Sequence, residues 1–300
     1  MKFKSITTQM TLMYGALILL ICLGLGIFSY ISSSDALKTS IDENLMEMAR
    51  ADAKIVTEKI NSQLNALEAW ANDPSIKSSE ISINEKLALL EVEVTRSGHK
   101  NIMLADTNGI AYQTTGSTVD VHDLDYFTKA LSGETSVSDP MISKTDGSVV
   151  IAFAVPIKEN SKVIGVLIAG RDGNELSNYT NDMQFNGREV FMINNKGTTI
   201  ANSDYSRVQE MYNIFEEYEA NPELESVYNL QKKMTEGQSG VGEYTFNGVT
   251  KYMGYYPVEG TNWSLGITSP KSTVMSKVND LSTRLIWISV ICLLLGIVFT

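Results

Sequence analysis

Three hundred residues, 43% hydrophobic and 20% charged, hold enough material for two ordinary globular domains. A net charge of −11 and a pI near 4.8, with no basic cluster, exclude a nucleic-acid partner. The only two cysteines, Cys22 and Cys292, lie in apolar runs at the two ends, so the middle of the chain has no disulfide framework, cysteine metal cluster or cysteine nucleophile.

The first apolar run, residues 12–31, has no charged residue and matches a hydrocarbon core of roughly 30 Å as a helix. It is predicted to be a transmembrane helix. Lys2 and Lys4 precede it and Asp35 follows, which places residues 1–11 in the cytoplasm and the middle of the chain outside. The Ser32-Ser33-Ser34 tract leaves a cleaved secretory signal as the alternative. From residue 35 to 72 apolar residues recur at three- and four-residue steps: Leu37, Ile41, Leu45, Met48, Ile55 or Val56, Ile60, Leu64, Leu67 and Trp70. This spacing predicts a stalk helix whose stripe must pack on a neighbouring domain, on a second copy of the chain, or on both. A shorter amphipathic segment follows from Ile83 to Thr95.

From Lys100 the period changes to that of strands, and an internal repeat appears. The strand-turn-strand stretch Asn101–Thr115 has a counterpart at Glu189–Ser203, 88 residues on, with Asp106-Thr107-Asn108-Gly109 matching Asn194-Asn195-Lys196-Gly197 at the turn. The hairpin Val149–Gly170 is matched by Lys251–Pro270, and Pro156 and Pro257 are each expected to close a strand. The surplus residues of the second copy fall between Val208 and Met234. Two such units predict an α+β chain: two tandem PAS-like antiparallel-sheet modules at 73–180 and 181–271, reached by the long stalk helix and flanked by transmembrane helices. A juxtamembrane helix is expected at 272–284. The run 285–300 is expected to be a second transmembrane helix, cut short, so that residues 1–300 form the input portion of a longer protein; a complete chain with a hydrophobic tail anchor is the alternative.

Chemistry is sparse. His99 and His122 lack the spacing of a helical metal site and read as surface or loop residues. Gly237, Gly240 and Gly242 read as a hairpin turn, not a phosphate loop. Asp120, Asp123 and Asp125 read as a solvated acidic face. No catalytic constellation, metal site or cofactor is expected. The adjacent rings Tyr126 and Phe127, on a short helix opened by Asp123 and Asp125, either belong to the core or wall a pocket for a small molecule.

The run Asp123-Leu124-Asp125-Tyr126-Phe127-Thr128-Lys129-Ala130-Leu131-Ser132-Gly133, the strand Ser138-Asp139-Pro140-Met141-Ile142-Ser143, and the segments Ile193–Ala201 and Gly248–Pro257 together resemble the double Cache sensor domains of bacterial methyl-accepting chemotaxis receptors. The resemblance covers roughly residues 35–283. It implies a membrane-distal module that binds ligand, a membrane-proximal module that relays the change, a homodimer, and cytoplasmic signalling partners reached through sequence beyond residue 300. The expected function is extracellular sensing of a small solute such as an amino acid or amine, for chemotaxis. The alternatives are the input region of a sensor histidine kinase or cyclic-dinucleotide enzyme, or, from another class, a membrane-tethered hydrolase or adhesion protein.

Amino-acid-binding members of that family carry an arginine two residues before the aromatic pair to hold the ligand carboxylate, and an aspartate at the end of the last distal strand to hold its amino group. Here Leu124 stands at the first position and Asp172 at the second. Leu124 cannot make the bidentate contact, which favours a cationic or neutral ligand with Asp172 as counter-ion as much as an amino acid. The expected binding residues are Asp123, Tyr126, Phe127, Phe153 and Asp172, with Asp-Gly-Asn at 172–174 equally readable as a turn.

Overall fold

The structure, a computed structural model, describes residues 6–184 and 187–298. The first five of the residues expected to be cytoplasmic, and the last two of the second apolar run, lie outside the described residues.

Helix α1 (Ile6–Ala71) is continuous over 66 residues, about 100 Å at 1.5 Å per residue, so the predicted anchor and stalk form one rod. By length and composition it is the one helix among the described residues apolar enough to cross a membrane. Leu45, Ala49, Ala53, Val56, Ile60, Leu64, Leu67 and Ala71 form its buried stripe, which lies against both sheets of the same chain. The neighbouring domain is thus one of the partners the spacing allowed that this stripe does meet.

After a one-turn helix α2 (Pro74–Lys77), helix α3 (Ile83–Ser97) starts at a reciprocal cap between Ser82 and Glu85 and stops at Gly98, which has a left-handed backbone. The first module then runs β1 (Asn101–Ala105), β2 (Ile110–Gln113), β3 (Thr118–Asp120), α4 (Asp125–Leu131), β4 (Ser136–Val137), β5 (Met141–Ile142), β6 (Val149–Glu159) and β7 (Lys162–Asp172). Helix α5 (Glu175–Asn181) leads to the second module. That module comprises β8 (Glu189–Asn194), β9 (Thr199–Ala201), α6 (Tyr205–Gln209), α7 (Ile214–Ala220), a 3₁₀ turn (Pro222–Leu224), α8 (Glu225–Thr235), β10 (Gly240–Phe246), β11 (Val249–Val258) and β12 (Trp263–Pro270). Helix α9 (Lys271–Val298) follows without a break and packs beside α1.

The repeat seen in the sequence reappears as strand order. The first sheet runs β3-β2-β1-β7-β6-β4, with β5 also on β6; the second runs β9-β8-β12-β11-β10. The two turns matched in sequence use the same device. Asp106 Oδ1 accepts from the Asn108 and Ile110 amides at 2.9 Å each, and Asn194 Oδ1 accepts from those of Lys196 and Thr198 at 2.9 and 3.0 Å. Gly109 and Gly197 close these turns with φ of 90° and 81°. The extra residues of the second copy build α6 to α8. Pro156 and Pro257 do not close strands as expected. They lie within β6 and β11, opposite Val166 and Ser264, and β6 runs three residues beyond its proline.

Each sheet turns one face to α1 and the other to its own inserted helices, and alternation sorts the side chains. In β6, Ile151, Phe153 and Val155 face α1 while Ala152 and Ala154 join the cluster under α4. In β11, Tyr252 faces α1, and Met253 and Tyr255 face α7 and α8. Gly254 lies where a Cβ would strike the Leu45 carbonyl, so glycine sets how closely the rod approaches this sheet.

His99 is not a surface residue. It is buried where α3 hands over to β1, with Nδ1 unpartnered, and its pKa is driven down to about 4 by burial and then by the Arg171 cation, against an opposing pull from Glu93. Asp52 on α1 moves the other way, up to about 6, through burial partly offset by Arg188. An imidazole with a lowered folded pKa contributes stability that is complete above about pH 6.5 and is lost as pH falls toward 4. A carboxyl with a raised folded pKa contributes stability that is complete below about 3.8 and is lost as pH rises through 6. Across this window the two trends oppose each other. His99→Leu is therefore expected to have a melting temperature that falls, relative to wild type, between about pH 4.5 and 6.5. Asp52→Asn is expected to show the opposite slope, and parallel curves for all three proteins would refute the assignment.

Candidate functional site

The first module holds a cavity of about 330 Å³ between the α4 face of its sheet and the loop that follows β5. Its floor is apolar: Met103, Val119, Val121, Leu124, Tyr126, Met141, Val150 and Ala152. Ala152 and Gly170 leave the space open because neither has a side chain large enough to fill it. The Asn101 side chain packs over Gly170, where a Cβ would collide with it.

The rim is polar. Gln113, fully buried, donates to Thr145 Oγ1 at 3.2 Å. Lys100 donates to Ser148 Oγ at 2.8 Å and stands 3.9 Å from Asp146. Lys144 is held by Asp123 at 2.8 Å and donates to the Asp120 carbonyl at 3.1 Å. Asp146 Oδ1 accepts from the Ser148 hydroxyl and amide, which, with Ser143 and Lys100, keep its carboxyl below the usual range and ionised. Burial, with the nearby Asp123 charge, pushes the Tyr126 phenol up to about 12, so the ring presents a neutral hydroxyl.

The residues expected at the site separate. Tyr126 lines the cavity, as does Leu124, two residues before it. Phe127, on the same helical turn, is packed into the core beneath α4 and does not line the cavity. Phe153 lies on the opposite face of β6, against α1, because it is one residue out of phase with Ala152. Asp123 reaches the site only through Lys144. Asp172 shares the cavity face of β7 with Gly170, but its exposed carboxylate accepts from the Asn174 amide at 2.9 Å, the turn reading of Asp-Gly-Asn. Arg171, on the other face, donates to the Ser97 carbonyl at 2.6 Å and to Glu175 at 2.9 Å, and is spent on structure. The rim groups Lys100, Asn101, Gln113 and Asp146 were not singled out from the sequence. Lys100 immediately precedes β1 and Asn101 opens it, and Asp146 lies in a polar loop whose fold over the sheet no local pattern announces.

The modules meet at Asp139, between β4 and β5. Its Oδ1 accepts from the Trp263 indole at 2.6 Å and its Oδ2 from the Asn194 side-chain Nδ2 at 2.8 Å, both residues being buried in the second module.

Comparison with known proteins gives a consistent picture. A sequence profile of the Cache domain, in its double form dCache_1, matches residues 33–278. No curated protein matches the chain by sequence. Among solved structures, the sensory domain of the Campylobacter jejuni chemoreceptor Tlp3 with isoleucine bound is similar at TM-score 0.61 and 18% identity, covering 82% of this chain and 98% of that one. The ligand-binding domain of Pseudomonas fluorescens chemoreceptor CtaA with L-isoleucine gives 0.64 and 19%, with the same coverage. That of Pseudomonas aeruginosa PctB with L-Arg gives 0.61 and 21%, covering 78% and 97%. At these identities the likeness is one of fold. With the profile spanning more than four fifths of its length, the chain belongs to the dCache_1 family of Cache domains.

Proposed function

We propose that this chain is the extracellular sensing region of a membrane-anchored chemoreceptor, and that its first-module cavity binds a small amino acid with an apolar side chain. The observation that carries the ligand class is the pairing of an apolar floor with a loosely engaged pair of opposite charges, Lys100 and Asp146, at its rim. A ligand carboxylate would be taken by Lys100 and its ammonium by Asp146, while the side chain lies against Met103, Leu124, Tyr126 and Met141. Lysine here does as a point charge what an arginine fork does with two parallel bonds. Asp146 replaces Asp172 as the acid for the amino group. The bound isoleucine in Tlp3 and CtaA supports the class.

Anchoring is through the apolar first part of α1, with α9 as a second crossing beside it. The receptor acts as a homodimer and hands its signal to cytoplasmic proteins through the extension of α9; it carries out no chemistry on its ligand.

The test is thermal unfolding of the chain in lipid nanodiscs with L-isoleucine, L-leucine, L-serine and L-arginine. Isoleucine and leucine at about 100 times Kd should stabilise it by about 2.7 kcal/mol. L-serine, which leaves the floor bare, and L-arginine, whose second cation would have to compete with Lys144 for Asp123, should act only at much higher concentration. Equal responses to all four, or none, would overturn the ligand class.

A further inference from the structure

The second module holds a cavity of about 320 Å³ at the position that corresponds, through the repeat, to the cavity of the first. Strand registers fix the correspondence. Asn101 pairs with Gly170 and Gly170 with Ala152; in the second sheet Glu189 pairs with Thr268 and Thr268 with Met253. The first trio lines the first cavity and the second trio lines the second. Met103 has Phe191 as its counterpart, and Val150 has Lys251. The two spaces are therefore the same feature of one duplicated unit, lined by different chemistry.

In the second cavity that chemistry is aromatic and cationic. Phe191, Tyr212, Tyr244 and Phe246 supply walls. Arg207, on α6, lies with its guanidinium 4.7 Å from the Tyr212 ring centre and 5.2 Å from that of Phe246. Among the described residues, Asp204 is the carboxylate within 4 Å of it: Oδ2 stands 3.9 Å from Nε, beyond hydrogen-bond reach, while Oδ1 accepts from the Ser206 amide and hydroxyl at 3.1 and 2.6 Å. The Arg207 side chain thus makes no hydrogen bond among the described residues, yet two rings hold it in place. The other cation, Lys251, is neutralised by Glu189 at 2.6 Å. Gln231, on α8, lines the same space, is 8% exposed, and has no hydrogen-bond partner among the described residues. Its amide is reached by solvent in the cavity and so is available to hydrogen-bond a molecule bound there.

We propose that this is a second ligand site, taking a small carboxylate with a flat apolar body: the carboxylate pairs with Arg207, the body lies between the aromatic walls, and Gln231 donates to it from the cavity wall. The site is separate from the amino-acid cavity and does not depend on that assignment. It gives the membrane-proximal module an input of its own, one strand from α9.

The experiment is isothermal titration of the full chain in lipid nanodiscs with sodium benzoate and, as the uncharged isostere, benzamide. Benzoate should bind at least about tenfold more tightly than benzamide. Arg207→Gln should abolish that preference, Arg207→Lys should retain part of it, and Gln231→Leu, which conserves volume, should weaken benzoate several-fold. Tyr126→Ala, in the other module, should leave benzoate binding unchanged while weakening isoleucine, so that failure at one site is distinguishable from failure at the other. Equal affinity for benzoate and benzamide, or benzoate binding unaffected in both Arg207→Gln and Gln231→Leu, would overturn the proposal. Should Arg207→Gln fail to fold, Arg207→Lys and Gln231→Leu decide it alone.

Discussion

Asp139→Ala is expected to cost about 3 kcal/mol of stability and to separate the unfolding of the two modules. The carboxylate accepts one hydrogen bond from the Trp263 indole and one from the Asn194 side-chain Nδ2, and hydrogen bonds to a charged group contribute about 1.5–3 kcal/mol each. Both donors are buried, so removing the acceptor leaves them unpaired in a place water does not readily reach. Trp263 is 2% exposed and begins β12, the strand that runs into α9. Asn194 uses its other side-chain atom to shape the turn after β8, so loss of Asp139 also loosens that turn. Asp139→Asn keeps an acceptor for one donor and should recover roughly half the loss.

The same residue stands between the first cavity and β12, the strand that runs into α9. The Ser138 amide donates to the Ala152 carbonyl and the Ser138 hydroxyl accepts from the Ala152 amide, which ties this segment to the cavity floor, and Met141 and Ile142 beyond it line the cavity. A ligand that moves this segment moves an anchor of β12. In Asp139→Ala, isoleucine binding should persist within a few-fold while the ligand-dependent displacement of α9, read by spin-label distances between α1 and α9, is lost. Urea unfolding with a loss under about 1 kcal/mol, or an unchanged displacement, would show that the modules communicate elsewhere.

What the sequence revealed and what it hid follow from how far each signal reaches. The repeat was legible because its turns depend on local chemistry: an Asx side chain capping two amides and a glycine three residues on, at 106–109 and again at 194–197. The stalk stripe was legible because a helix repeats its buried face every three or four residues over many turns. Strand faces were half legible. Alternation in β6 separates Ile151, Phe153 and Val155 from Ala152 and Ala154, but cannot say which set meets the rod and which meets the cavity. The assignment of Phe153 to the pocket took the large ring as the pocket wall; in the structure the large set packs on α1 and the small set makes room. Small residues in phase on a strand otherwise rich in large ones were the signal that could have marked the cavity. His99 gave no local signal at all, because its burial depends on α3, β1 and Arg171 converging from separate parts of the chain.

That distinction between faces yields the sharpest test of the binding site. Tyr126→Ala should weaken isoleucine about 10- to 100-fold, because burial of a side chain of that size against a ligand contributes about 1.5–3 kcal/mol, and tenfold in Kd is about 1.4 kcal/mol. Lys100→Met, which keeps the aliphatic stem and removes the charge, should cost a similar factor by leaving the ligand carboxylate without its counter-ion. Phe153→Leu reaches the opposite face of the sheet; it should lower stability through the void left against α1 and leave isoleucine affinity within about twofold. Asp172→Asn, whose carboxylate caps a turn amide, should also leave affinity nearly unchanged. Titration calorimetry on the four variants separates these outcomes. Were Phe153→Leu or Asp172→Asn to weaken binding as much as Tyr126→Ala, the ligand would have to lie outside this cavity. Loss confined to Tyr126→Ala and Lys100→Met would place it between the Tyr126 ring on α4 and Lys100, the residue just before β1.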